Sequence, residues 1–146
     1  MLKPGDPAPS FRVQDHTGRE VSLEEHRGKR VVLWFYPKAD TPGCTREGCN
    51  FRDLHADYQA KGAAVLGISY DTPAENAAFV EKYRLSYPLL CDTDKKVAQA
   101  YGAFDPAEPG YPRRNTYVID PEGRVERVLE AVNPKTHPRD LLDSLA

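Results

Sequence analysis

Two of the three cysteines in this 146-residue chain, Cys44 and Cys49, lie five positions apart in the stretch FYPKADTPGCTREGC, residues 35 to 49. An odd, sparse set of thiols cannot make a disulfide scaffold; in a reducing compartment such cysteines are structural, metal-bound or reactive. Cys44 follows Thr-Pro-Gly at a helix start, so its sulfur should lie near free backbone N–H groups and the positive end of the helix dipole, where a thiolate is favoured. The thiolate is the nucleophilic form, which makes Cys44 a candidate catalyst. On an intact helix an offset of five places the two Cα atoms roughly 8.6 Å apart on different faces, beyond the ~7 Å limit for a disulfide. A disulfide between them would therefore require the first turns of the helix to unwind.

Other uses of these thiols compete with that one. The spacing C-x4-C also suits a zinc ligand pair, but no second pair accompanies Cys91, and His16, His26, His55 and His137 are scattered over turns and expected solvent faces. Cys91 closes the short apolar run PLLC and reads as a small buried hydrophobe. Thr41 suits a helix-start cap, Pro37 a strand end, Glu47 a first-turn carboxylate and Arg114 a solvated charge. Trp34, Phe35 and Tyr36 read as core and site-wall residues.

The elements that would position these residues follow from periodicity. FRVQDHTGREVSL alternates on both sides of HTG, which predicts an N-terminal hairpin with Phe11, Val13, Val21 and Leu23 on its inner face. RVVLWFYP, residues 30 to 37, is a nearly continuous apolar run, as a central strand covered on both faces requires. Phe51, Leu54 and Tyr58 predict an amphipathic helix over residues 44 to 60. AAVLGISYD reads as a second buried strand and TPAENAAFVEKY as a helix with Thr72 as N-cap and Pro73 at its first position. A short strand at PLLCD, a helix at TDKKVAQAYG, an irregular AFDPAEPGYPRR, a hairpin NTYVIDPEGRVERVLE and a final helix PKTHPRDLLDSL complete the chain. The order predicts a single α/β domain over residues 1 to 146: a thioredoxin-like fold, its central mixed β-sheet carrying helices on both faces and an N-terminal β-hairpin beside it. A flavodoxin-like sheet fits less well, because no Gly-rich phosphate loop follows the first buried strand.

Bulk properties narrow the partners. With 20 basic and 22 acidic residues the formal net charge is -2, so no global field draws the chain to nucleic acid or anionic lipid. No run approaches a membrane span and the first residues lack a secretory apolar core, which places the expectation in the cytoplasm.

The run Pro37, Thr41, Cys44 has the spacing P-x3-T-x2-C and resembles the active-site signature of the peroxiredoxins. A second cysteine five residues later is similar to the Q-type, or bacterioferritin comigratory protein, subgroup. VLGISYDTPAENAAFVEKY, YPLLCDTDKKVAQAYG and RNTYVIDPEGRV resemble family segments in the same order, covering roughly residues 2 to 145. The resemblance implies a peroxidase for hydrogen peroxide and organic hydroperoxides that uses no metal, haem or flavin. By that likeness Cys44 would attack the peroxide and become a sulfenic acid. Thr41 would hydrogen-bond the thiolate and the peroxide, Pro37 would shield the site from water, and Arg114, rather than Arg113, would stabilise developing charge. Glu47 would orient Arg114, and Cys49 would resolve the sulfenic acid to an intramolecular disulfide that a thioredoxin- or glutaredoxin-like dithiol reduces. A monomer is implied as well. Cys91 stands where the family commonly has serine. Two other functions remain open: a thiol-disulfide oxidoreductase, though these usually carry C-x-x-C, and a peroxide-responsive redox sensor in which helix unwinding exposes a partner surface.

Overall fold

Residues 2–145 are described by the computed structural model, and the chain within them opens with a hairpin. Strands β1 (Arg12–Gln14) and β2 (Glu20–Ser22) pair antiparallel with Val13 opposite Val21. The turn is fixed by Asp15, whose Oδ1 accepts from the Thr17 N–H (2.8 Å) and hydroxyl (2.6 Å), an Asx turn. Phe11, Val21 and Leu23 are buried as the alternation predicts, whereas Val13 is only partly covered.

Strands β3 (Arg30–Phe35), β4 (Ala63–Ser69), β5 (Leu89–Cys91), β6 (Thr116–Ile119) and β7 (Val125–Leu129) form one sheet in the order β5-β4-β3-β6-β7. The pairs β3–β4 and β4–β5 are parallel, while β6 lies antiparallel to β3 and β7 to β6. Helices α1 (Pro42–Asp53) and α2 (His55–Ala60) connect β3 to β4, and α3 (Pro73–Tyr83) connects β4 to β5; α4 (Lys96–Tyr101) follows β5 and α5 (His137–Ser144) comes last. This is a thioredoxin-like α/β arrangement with a mixed sheet at its centre.

The central strand divides the core in two, because alternate side chains of a strand point to opposite faces. Val32, Trp34 and Tyr36 pack with Phe51 of α1, Tyr58 of α2, Phe79 of α3 and Leu141 and Leu142 of α5. Val31, Leu33 and Phe35 pack with Phe11 and Val21 of the hairpin and with Val97 and Tyr101 of α4. Helices thus lie on both faces, as expected.

Two boundaries and the placement of one histidine differ from the sequence expectation. The helix read over residues 44 to 60 begins at Pro42, whose missing N–H costs nothing in a first turn, and it is interrupted at Leu54 (φ -99°, ψ 3°) to give α1 and α2. Helix α4 starts only at Lys96, because Lys95 is left-handed (φ 64°) and the buried Asp92 carboxylate takes the Val97 (3.1 Å) and Ala98 (2.8 Å) N–H groups. His137, expected on a turn or solvent face, is buried, with Nε2 2.9 Å from the Thr116 hydroxyl. By contrast α3 has the predicted start: Thr72 accepts from the Glu75 N–H (3.2 Å) and Glu75 reaches back to the Thr72 N–H (3.0 Å).

Gly67 of β4 leaves space for the Trp34 ring, which lies against Phe51 (5.1 Å between centroids) and so supports α1 from beneath. A Cβ on Gly67 would fall 2.7 Å from Leu89 Cδ2 and 3.1 Å from Trp34 Cε2. Gly67→Ala is therefore expected to lower the free energy of urea unfolding by about 1–3 kcal/mol through overpacking. An unchanged midpoint would show that the sheet and Trp34 adjust freely.

Candidate active site

The site is assembled where β3 and β4, being parallel, end side by side. After Tyr36 the chain turns through Pro37 into the loop that precedes α1, and that loop is tied to the end of β4: the Ala39 N–H donates to Asp71 Oδ2 (2.8 Å). Asp71 is held in turn by the Ser69 hydroxyl (2.7 Å), Ser69 accepts from Asn76 Nδ2 (3.3 Å), and the Tyr36 hydroxyl donates to Asn76 Oδ1 (2.6 Å). Sequence reading treated Tyr36 as wall and missed this buried polar chain. The available signal was the placement of Asp71 just after the second buried strand, matching Pro37 after the first.

Thr41 occupies the N-cap position with extended backbone (φ -95°, ψ 156°), but its side chain makes no capping bond. Its hydroxyl donates to the Lys38 carbonyl at 2.7 Å, so its single proton is engaged within the loop. Pro42 and Gly43 follow, and Cys44 is the third helical residue, fully buried and unbridged.

Arg114 Nη2 lies 3.5 Å from Cys44 Sγ, and Nη1 donates to Glu47 Oε1 at 2.8 Å. Cys44 and Glu47 are three residues apart and so share one face of α1, where a single planar guanidinium spans both. Gly43 permits this approach: a Cβ there would sit 3.0 Å from Arg114 Nη2. Arg114 is fixed from its own backbone, whose carbonyl accepts from the Val132 N–H (3.1 Å), and by its neighbour Asn115, whose carbonyl accepts from Phe35 N–H (2.8 Å). Arg113 points away and pairs with Asp105 at 3.5 Å.

Burial dominates the electrostatics. It pushes the Glu47 carboxyl up to about 7 even though Arg114 pulls it down, and Glu47 Oε2 has no hydrogen-bond partner. For Arg114, burial works against the charge, but Cys44 and Glu47 outweigh it and hold the guanidinium above its ordinary value. Burial also raises Cys49 and Cys91 and takes His137 down to about 4.

The remaining residues sit around this centre. Pro37 lines a groove of about 300 Å³ with Arg114, Arg113, Pro112, Tyr111 and Glu108. Cys49, half-buried on another side of α1, opens to a separate groove of about 460 Å³ with Thr45, Arg46, Lys82 and Tyr83. Cys91 ends β5, 3.4 Å from Asn76 Nδ2 and outside the Cys44–Arg114–Glu47 group. Among the described residues no three His, Cys, Asp or Glu side chains come together as a metal site would need. What the arrangement offers is a buried sulfur in the first turn of a helix facing a guanidinium, a cation placed to stabilise charge that develops in a reaction at that sulfur.

Comparison with known proteins agrees with that chemistry. The AhpC/TSA family profile matches residues 4–128. A Mycobacterium tuberculosis chain provisionally named a peroxiredoxin is 42% identical over 130 residues, covering 85% of this chain and 82% of its own length. Peroxiredoxin Q, chloroplastic, of Gentiana triflora is 40% identical over 142 residues, covering 97% of this chain and 65% of the plant protein. Among solved structures, peroxidoxin BcpB of Mycobacterium tuberculosis superposes with a TM-score of 0.92 at 36% identity, covering 99% of this chain and 97% of that one.

The two buried titrating groups work against each other. Glu47 binds its proton more tightly folded than unfolded, so its ionisation opposes folding and stability falls by about 3 kcal/mol as pH rises from 4.5 to about 7. His137 stays neutral in the fold down to about pH 4, so its contribution is lost as pH falls from 6.5 and is regained as pH rises. The two slopes offset each other over most of that range. Glu47→Gln removes the first alone, so the variant's unfolding free energy relative to the parent is expected to grow by about 3 kcal/mol between pH 4.5 and 7. Parallel urea-derived stability profiles for the two proteins would contradict the buried, protonating Glu47.

Proposed function

The chain belongs to the AhpC/TSA family, a peroxiredoxin of the Q or bacterioferritin comigratory protein type, and on that premise we propose that Cys44 is its peroxidatic cysteine and Cys49 its resolving cysteine. It is a thiol peroxidase, acting on peroxides with thiol reductants. The observation that carries the assignment is the Arg114 guanidinium 3.5 Å from Cys44 Sγ at the first turn of α1.

The Cys44 thiolate attacks the terminal peroxide oxygen; the S–O bond forms as the O–O bond breaks, and the alkoxide or hydroxide leaves and takes up a proton as an alcohol or water. Arg114 stabilises charge first on sulfur and then on the departing oxygen, while Glu47 holds the guanidinium in plane with both. The Thr41 hydroxyl must release the Lys38 carbonyl to donate to sulfur or peroxide. Pro37 walls the groove against bulk water. In the second step Cys49 sulfur displaces the sulfenic oxygen as water, giving a Cys44–Cys49 disulfide, and a thioredoxin- or glutaredoxin-like dithiol reduces it to two thiols while itself becoming a disulfide. Because α1 runs unbroken through both cysteines, resolution requires its first turns to unwind. The free thiols suit a single-domain monomer working in a reducing compartment such as the cytoplasm.

Intact mass after one equivalent of hydrogen peroxide tests the assignment. Loss of two hydrogens is expected in the parent, an added oxygen in Cys49→Ser and no rapid change in Cys44→Ser; equal slow oxidation of all three would overturn it. Arg114→Ala is expected to slow peroxide reduction about a hundredfold, as removal of one charge-stabilising donor does. Unchanged reactivity would remove Arg114 from the chemistry.

A further inference from the structure

The helix that carries both cysteines is braced across its Cys49 side by the last turn of α3. Asp40, next to the N-cap, has φ 59°, a left-handed conformation that aspartate adopts more readily than most residues with a side chain. Its carboxylate accepts from Lys82 Nζ (2.9 Å) and from the Tyr83 hydroxyl (2.7 Å). At the far end of α1, Arg52 Nη1 donates to the Tyr83 carbonyl (2.6 Å). One residue of α3 therefore grips positions 40 and 52, which flank Cys44 and Cys49, and the groove into which Cys49 opens is walled by Asp40, Lys82 and Tyr83.

We propose that Asp40, Lys82 and Tyr83 form a latch that keeps the reactive helix wound, and that its release sets how fast Cys49 reaches the Cys44 sulfenic acid. The inference rests on the roles given to Cys44 and Cys49 above. In the wound helix the cysteines are too far apart to bond, so the N-terminal turns must come away from α3 before the disulfide forms. The two bonds from α3 to the Asp40 carboxylate resist that departure. A tighter latch lengthens the life of the sulfenic acid and so its exposure to a second peroxide, which would carry it to sulfinic acid. Asp40, Lys82 and Tyr83 position the helix and are separate from the residues that face the reacting sulfur.

Trp34, the sole tryptophan, lies under α1 and reports on it by fluorescence. Stopped-flow traces after a hydrogen peroxide pulse would separate sulfenic acid formation from disulfide formation in the parent, Tyr83→Phe and Lys82→Met. Lys82 is well exposed and Tyr83→Phe keeps the ring against Phe79, so both variants are expected to fold. Each should speed disulfide formation about two- to fivefold, the range for an exposed ion pair or hydrogen bond, and leave the peroxide step within about twofold. The fraction of sulfinic acid at high peroxide should fall in step. Disulfide formation at the parent rate in both variants would overturn the latch while leaving the cysteine roles intact. Failure of the parent to form any intramolecular disulfide would overturn the cysteine roles and the latch together.

Discussion

The Arg114 guanidinium, laid across the first turn of α1 between Cys44 Sγ and Glu47 Oε1, is the contact on which the rest of the site depends. Burial is costly for its charged members: Arg114 is held charged by Cys44 and Glu47, while the Glu47 carboxyl, pushed up to about 7, is only partly offset by the guanidinium. The arrangement also sets sequence requirements at a distance: a side chain at Gly43 would press on Arg114 Nη2, and the segments before β6 and after β7 must hold the Arg114 backbone where the guanidinium can reach.

The fold supplies the frame by bringing strand ends together. Parallel β3 and β4 finish at the same edge, so the loop into α1 can be tied to Asp71 through the Ala39 N–H, and Asp71 is secured by the buried chain of Ser69, Asn76 and Tyr36. Beneath the helix, Trp34 stacks with Tyr36 and Phe51 to form a rigid aromatic floor. Sites at the carboxyl ends of strands are common in α/β proteins because loops there can converge while the sheet stays fixed.

Much of this was legible in the sequence, and the gaps have physical causes. The buried runs gave β3 and β4, Thr72 and Pro73 gave the start of α3, and the family resemblance implied roles for Cys44, Glu47 and Arg114. The choice of Arg114 over Arg113 rested on the family likeness alone, because irregular Pro/Gly-rich sequence encodes the loop's backbone path in no period. The break at Leu54 carries no Gly or Pro to mark it. Thr41 illustrates a local competition: its hydroxyl proton suits a thiolate by type, yet it is donated to the Lys38 carbonyl three residues back. Pairings such as Tyr36 with Asn76 or Asp40 with Tyr83 span some forty residues and follow from tertiary placement alone.

One helix is asked to do two incompatible things. Wound, it holds Cys44 beside Arg114; on the roles proposed for the two cysteines, it must unwind before their sulfurs can meet. Gly48 weakens α1 between the two cysteines, since a glycine in a helix interior costs about 1 kcal/mol relative to alanine. Hydrogen exchange of the amides over residues 45 to 50, compared between the reduced protein and the protein oxidised with one equivalent of peroxide, tests this most directly. Slow exchange in the reduced form and fast exchange once the disulfide has formed is the expected result. Equal protection in both forms, with the disulfide verified by mass, would contradict the account.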